Sequence, residues 1–357
     1  MESFLAASKV ALSNLSSFER VRIVLGNQTC DLDSAVCALV RGFSEYLDGR
    51  QSGRTGLAVI PVMNIPEREF RLKTEVVYCF DRHELTSLDL HHLFNSENGI
   101  DCEIILVDHH VLPEEDVSLA QSVIEIVDHR PRDPGWSWPG RKVTLESVGS
   151  CASLVARHFI EKHPESLDAR IASILRGPIL IDTCNFSKEA DRATPLDVEI
   201  IETLETIGGL EASERKRVFD DLIAAKGDTS TLTVDELLIR DLKTVGTVAI
   251  PGFPTLVEVS LPGLDEDRIE SNRIESNRKK DNASESRISD FYILQIAEAL
   301  TSATRPNLEL SSPRRIVDET GEHGVLLYVQ GNLRATRKHI LPIVREVVSS
   351  ERDSTSI

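Results

Sequence analysis

Positive charge, aromatic rings and long apolar runs are all scarce in this chain of 357 residues, and each scarcity closes off a class of function. Lysine and arginine number 40 against 58 aspartates and glutamates, a formal net charge of −18. Such a surface repels a nucleic-acid backbone, so no nucleic-acid partner is expected, and a small polyanion has to be held by metal and a few local basic groups. No apolar run approaches the length needed to cross a bilayer, so no membrane association is expected. The short apolar stretch in Met1-Glu2-Ser3-Phe4-Leu5-Ala6-Ala7-Ser8-Lys9 is not a secretory core. The six cysteines (Cys30, Cys37, Cys79, Cys102, Cys151, Cys184) form no Cys-x-x-Cys pair, which argues against a zinc ribbon or a disulfide framework. Several sit in apolar patterns, where free cysteine acts as a small hydrophobe. A reducing, cytoplasmic setting is the expectation. Tryptophans number two and tyrosines four, yet 41% of residues are apolar, enough for sizeable cores, and the length favours two domains.

What is present is concentrated at the ends of short apolar runs. Val21-Arg22-Ile23-Val24-Leu25 leads into Gly26-Asn27-Gln28-Thr29-Cys30-Asp31-Leu32-Asp33-Ser34, and Ile104-Ile105-Leu106-Val107 leads into Asp108-His109-His110. The pattern recurs where Val123-Ile124-Glu125-Ile126-Val127 precedes Asp128-His129-Arg130, and where Ile179-Leu180-Ile181 precedes Asp182. A β-branched run ending in carboxylates and imidazoles reads as a buried parallel strand that presents ligands at its C-terminal edge. Open α/β sheets bind their ligands at that edge. One aspartate after a strand is most simply a helix cap or a turn residue. Four such ends together read as a site for hard divalent cations, and so for phosphate chemistry.

Val36, Leu39, Val40 and Phe43 follow Asp33 at helical spacing, so the chain starts strand, acidic loop, helix. Leu57 to Val62 and Val76 to Phe80 read as further strands, Ser153 to Ile160 and Ile171 to Leu175 as helices. The alternation predicts an α/β fold, a doubly wound parallel sheet over residues 1–190. A charged helical connector over 191–218 and a smaller α/β domain over 219–348 follow, then a tail over 349–357. In the second domain Val248-Ala249-Ile250, Leu256 to Val259 and Val325 to Val329 read as strands, with a helix through Ile293, Ile296 and Leu300. A tandem copy, Arg268-Ile269-Glu270-Ser271-Asn272 then Arg273-Ile274-Glu275-Ser276-Asn277, reads as a solvated loop or helix extension.

Carboxylates with one or two imidazoles favour Mn²⁺ or Mg²⁺ over thiolate-loving metals. Two such ions about 3.5–4 Å apart clamp an in-line phosphoryl displacement. Asp31 and Asp33, two apart in a loop, can point to different ions, and Asp108 has two oxygens with which to bridge them. His109 and His110 can face metal, substrate or leaving group, or can simply be packed in the core.

Gly26-Asn27 with Cys30-Asp31-Leu32-Asp33-Ser34, then Asp108-His109-His110, resembles the DHH phosphoesterase superfamily, and within it the Prune-like exopolyphosphatase branch. Asp128-His129-Arg130-Pro131, Val148-Gly149-Ser150-Cys151-Ala152 and Asp182-Thr183-Cys184-Asn185 fit the same branch. The resemblance implies a metal-dependent hydrolase of phosphoanhydrides, most simply an exopolyphosphatase acting on short inorganic polyphosphate. Pyrophosphatase, cyclic-nucleotide phosphodiesterase and a non-catalytic interaction protein with a weakened metal site are the alternatives. In members similar to the manganese-type pyrophosphatases a bridging Asp precedes the Asp-His-His triplet by about one strand-to-strand step, and here Asp108 and Asp128 are spaced by 20. On that mapping Asp31 and Asp108 hold one ion, with Asn27, in place of the family's His, a weak ligand at best and grouped with His109 and His110 among the catalytic residues. Asp33, Asp108, His129 and Asp182 hold the other, and Arg130, replacing the second His of the triplet, contacts phosphate or simply pairs with a carboxylate. The competing alignment takes Asp108-His109-His110 as the triplet, makes His109 the ligand, and needs Asp81 or Asp89 as the bridge. The C-terminal unit resembles the DHH-associated domain, whose Arg-Lys pair is matched by Arg337-Lys338 and whose second lysine is matched by Lys243. These three would hold the phosphate chain.

Overall fold

A computed structural model of the chain describes residues 1–85 and 101–240, with shorter stretches between 243 and 347. The apolar runs at 20–25, 57–62, 101–107 and 123–128 form strands β1 (Arg20–Leu25), β2 (Leu57–Val62), β3 (Asp101–Val107) and β4 (Val123–Asp128), joined by β5 (Lys142–Leu145). All pair in parallel, in the order β2-β1-β3-β4-β5. Leu25 lies opposite both Val62 and Leu106, and Val107 lies opposite Val127, so the C-terminal ends of β1, β3 and β4 come out at one edge. The order reverses between β1 and β3, the kind of point where open α/β sheets leave a ligand crevice.

Alternation along the strands divides the core in two. Val24, Val59, Ile105, Val107 and Val127 pack with helices α2 (Leu32–Gln51), α5 (Cys151–Lys162), α6 (Ala169–Asp182) and α7 (Pro195–Gly208). Ile23, Leu25, Ile60, Ile104, Leu106 and Ile126 face the other side, toward the end of α1 (Glu2–Ser13), the 3-10 segment Glu114–Ser122, and Trp136 and Trp138. Both faces are thus covered, as an all-parallel sheet requires.

Two expected strands are helices. Residues 76–80 lie in α4 (Thr74–Arg82), where Val76, Cys79 and Phe80 are buried at i, i+3, i+4 spacing. α3 (Glu67–Phe70) precedes it. Residues 179–182 close α6, whose start is capped by Asp168 accepting the Ile171 N–H at 2.8 Å. Helix α6 packs among α2, α5, α7 and α8 (Arg215–Gly227), so it is apolar nearly all round and its last turn mimics a buried strand in composition. Asp182 therefore ends a helix, not a strand.

The chain divides into two compact units, Met1–Asp228 and Thr229–Ile357. Helices α7 and α8 pack on α6 inside the first unit, so the segment read as a connector helps build that unit. The second unit contains α9 (Val234–Ile239), an antiparallel pair β6 (Lys243–Val245) and β7 (Val248–Ile250), and another, β8 (Arg314–Val317) and β9 (Gly324–Leu327). Of the helix read near 293–300, residues 296 and 298–300 are helical. The strand read at 256–259, the tandem copy, Arg337, Lys338, Asp89 and the tail lie outside the described residues. Among the described residues, no helix is long and apolar enough to cross a membrane.

Under α2 lies a buried ionic network. Arg41 is 2% exposed and pairs with Glu45 and, at 2.9 Å, with Glu125. Arg22 pairs with Glu45 and Glu103, and Lys142 reaches Glu125 at 2.8 Å. Removing one partner strands buried charge, so Arg41→Ala is expected to cost about 3–5 kcal/mol in urea unfolding. Burial, then the charges of Arg41 and Lys142, lower the His158 imidazole from 6.5 to about 4. The unfolded chain therefore binds this proton more readily, and stability falls as pH drops from 6.5 toward about 4. His158→Gln is expected to flatten that part of the stability-against-pH curve, read from unfolding curves across the window.

Candidate metal centre

The loop after β1 is wound around one amide. Asn27 Oδ1 accepts the backbone N–H of Thr29 at 2.8 Å and of Cys30 at 3.2 Å, and Cys30 takes a left-handed φ of 43°. Gly26 lets the strand end touch α2, because a Cβ there would meet Ser34 Oγ at 2.5 Å. Asp31 then caps α2, accepting the Ser34 N–H at 3.1 Å. Two residues on, the Asp33 carboxylate reaches across to the start of α5. It accepts the N–H groups of Cys151 and Ala152, each at 2.8 Å, and so supplies the cap that Ser150's own side chain does not.

Asp108, at the end of β3, has a φ of 57°, a left-handed conformation costly for a residue with a Cβ. Its N–H donates to Val127 O at 2.9 Å, and its Oδ2 accepts from Asn27 Nδ2. His129 follows β4. Its Nδ1 lies 3.0 Å from the Val148 carbonyl, which can only accept, so the proton sits on Nδ1 and the lone pair on Nε2. That Nε2 is 3.4 Å from Asp108 Oδ1 and 3.9 Å from Asp33 Oδ2. A lone pair facing two carboxylates is an arrangement that a shared cation relieves. Asp33, Asp108 and His129 are all buried, and each offers a donor atom within 4.8 Å of the others.

Electrostatics agrees with the geometry. Burial, then the neighbouring charges of Asp108 and Asp182, push the Asp33 carboxyl well above the usual range. The donor set thus fits a hard divalent ion, one carbonyl behind the imidazole fixing its orientation.

The other expected site residues divide by what their atoms already hold. Asp128 is a hub: burial would raise its carboxyl, but His110 and Arg130 outweigh that and hold it below the usual range. Its Oδ1 accepts from the His129 N–H at 2.8 Å and from Arg130 Nη1 at 3.2 Å, and its Oδ2 lies 2.5 Å from His110 Nδ1. His110 Nε2 accepts the Asp133 N–H at 2.9 Å, so both nitrogens of that ring are engaged in holding the loop after β4. Arg130 Nη1 also lies 3.0 Å from Asp108 Oδ1. His109 donates from Nδ1 to Val107 O at 2.9 Å, and its buried Nε2 has no hydrogen-bond partner among the described residues. Burial lowers its pKa, leaving it neutral. Asp81, one of the two bridges open to the competing alignment, lies in helix α4 rather than at a strand end. Lys243 begins β6.

One organiser escaped sequence reading. Asp197 is fully buried and accepts from Gly149 N at 2.8 Å and Ser153 Oγ at 2.6 Å, fixing the segment that supplies Val148 O and the α5 amides. Gly149 is required there, since a Cβ would meet Thr183 Cγ2 at 2.8 Å and Asp197 Oδ2 at 2.9 Å. The Thr194–Asp197 capping box is visible in the sequence, but the reach to residue 149 is not.

No family model matches the chain. Over its full length it is 30% identical to the Homo sapiens protein named exopolyphosphatase PRUNE1, of which it spans 81%. It is 32% identical to the Bos taurus protein of that name, again across the full chain and 81% of the relative. Across 62% of the chain it is 24% identical to a Lactococcus lactis protein named "Probable manganese-dependent inorganic pyrophosphatase", spanning 66% of that protein. A solved chain from Methanococcus jannaschii, described as a "putative family II inorganic pyrophosphatase", matches with a TM-score of 0.53 at 19% identity. The match covers 92% of this chain and 99% of that one, and is a likeness of fold.

The hub role of Asp128 is testable. Asp128→Ala is expected to lower stability by about 1–3 kcal/mol in urea unfolding. It should also weaken metal binding about 10–100-fold in calorimetry, because His129 and Arg130 lose their anchor.

Proposed function

The chain belongs to the Prune exopolyphosphatase family, and from that premise we propose that it is a divalent-metal-dependent hydrolase of phosphoanhydride bonds, releasing orthophosphate from short inorganic polyphosphate. The observation that carries this reading is the buried Asp33–Asp108–His129 donor set at the sheet's switch point, with a guanidinium beside it. Asp33, Asp108, His129 and Asp182 would hold Mn²⁺ or Mg²⁺, and the family pattern adds Asp31. Such an ion supplies charge neutralisation and Lewis-acid polarisation at a phosphoryl oxygen.

The remaining roles fall to the chain's own groups. Arg130 is anchored through one nitrogen, leaving further N–H groups of its planar fork for phosphate oxygens. His109, neutral and with its Nε2 lone pair unspent, is the proton acceptor for water or the carrier of a proton to the leaving oxygen. His110 and Asp128 are positioning residues. Arg337, Lys338 and Lys243 are assigned to the phosphate tail on the family resemblance. The pyrophosphatase alternative calls for an imidazole at position 27, and Asn27 has already spent its carbonyl on two backbone N–H groups.

The test is orthophosphate release from tripolyphosphate with Mn²⁺, with Mg²⁺ and with chelator. The wild type should hydrolyse only with metal. Asp108→Ala and His129→Ala should each lose at least about 10²-fold in turnover, the scale of removing one charge-stabilising group. His109→Ala should lose turnover while binding metal normally in calorimetry, and Arg337→Ala or Lys338→Ala should raise KM. Metal binding without any phosphate release would return the chain to the interaction-protein alternative.

A further inference from the structure

We propose that Arg130 and Asn27 together stand where a second cation would, so that this centre takes one divalent ion and carries its other positive charge as a resident guanidinium. The inference rests on the metal-dependent reading above and fixes how many ions that reading involves.

A carboxylate bridges two ions by giving each an oxygen. The second oxygen of Asp108 is committed elsewhere: Oδ2 accepts from Asn27 Nδ2. The direction of that contact is set by chemistry. Asn27 Oδ1 already receives the N–H groups of Thr29 and Cys30, which can only donate, so the amide's NH₂ end must face Asp108. An NH₂ group is no metal ligand. Asp108 Oδ1, meanwhile, is shared between the His129–Asp33 side at 3.4 Å from Nε2 and Arg130 Nη1 at 3.0 Å.

Nor is Arg130 a surface side chain that has drifted in. Its Nη1 lies 3.2 Å from Asp128 Oδ1, and its own backbone N–H donates to the same oxygen at 3.3 Å. Asp128 is in turn locked by His110 through its other oxygen. The remaining carboxylate available to a second ion, Asp31, gives an oxygen to the Ser34 N–H as the cap of α2. What would surround a second dication is one capping carboxylate, one amide turned donor-first, and a permanent positive charge. Like charges at a few ångströms oppose its entry, whereas the Asp33–Asp108–His129 set welcomes the first.

The experiment counts ions rather than turnover. Mn²⁺ is titrated into the metal-free full chain, and free Mn²⁺ is followed by electron paramagnetic resonance with calorimetry alongside. The wild type is expected to bind one ion per chain, and Arg130→Lys, which keeps the charge, is also expected to bind one. The Asn27→His/Arg130→His double variant, which removes the fixed charge and supplies two imidazoles, is expected to bind two. A wild-type count of two overturns the inference but leaves the metal-dependent reading standing. A wild-type count of zero overturns both. A double variant that is folded by circular dichroism yet still binds one ion overturns the assignment of Arg130 and Asn27 to the second position. Should the double variant not fold, the wild-type count alone decides.

Discussion

Everything at the strand-end edge follows from the burial of negative charge. Asp33 and Asp108 are nearly inaccessible and face each other's field across His129. Two carboxylates cannot stay ionised in that position without compensation. The chain supplies it piecemeal: two α5 amides for Asp33, an amide and a guanidinium for Asp108. Each compensating group also fastens an element. Asp33 ties α2 to α5, Asn27 ties the β1 loop to β3, and Arg130 ties the loop after β4 to both neighbouring strand ends. The left-handed backbone of Asp108 is held by the same contacts, so the strain and the chemistry share one set of anchors.

The first unit holds a second buried ionic cluster, and the contrast between the two separates structure from function. Arg20, Arg22, Arg41 and Lys142 face Glu45, Glu103 and Glu125, so every carboxylate there has at least two cationic partners. Such a cluster needs no ligand, and its worth lies chiefly in the penalty for breaking it. At the candidate centre Asp33 lies in the field of Asp108, Asp182 and Asp31, while Arg130 is the cation held beside Asp108 and both nitrogens of His110 are engaged in hydrogen bonds. Negative charge remains in excess. Buried carboxylates set around an imidazole nitrogen in this way form a donor set that a divalent cation would satisfy.

Much of this was legible because strand composition and chemistry coincide. The runs before Gly26, Asp108 and Asp128 are β-branched, short and bounded, and they do form adjacent parallel strands. The same rule failed at Val76 and Ile179, since a brief apolar run looks alike in a buried strand and in a helix packed on several sides. In α4 the buried set 76, 79 and 80 carries the helical spacing that should have decided it. In α6 burial is so general that spacing carries no signal. His110 shows what sequence does not carry. As one of two adjacent histidines it resembles a catalytic group, yet its nitrogens are bound to residues 18 and 23 positions away, and no local pattern announces such partners.

On the proposed reading an amide and a guanidinium stand where two imidazoles would, which changes what the centre asks of its surroundings. An ion is exchangeable: its occupancy follows concentration and pH, because ligands must give up protons to bind it. A guanidinium is charged at every physiological pH and cannot dissociate. Fixing one positive charge covalently therefore removes one concentration dependence from the assembly of the site. It also adds direction, since a planar fork selects phosphate oxygens by geometry where a sphere of charge does not. The cost is rigidity. Arg130 is held by Asp108 and Asp128 at once, so it compensates charge only where those two carboxylates place it, and Asp128 owes its own position to His110. The chain of dependence thus runs from a histidine with both nitrogens engaged, through a carboxylate with both oxygens engaged, to the guanidinium of Arg130.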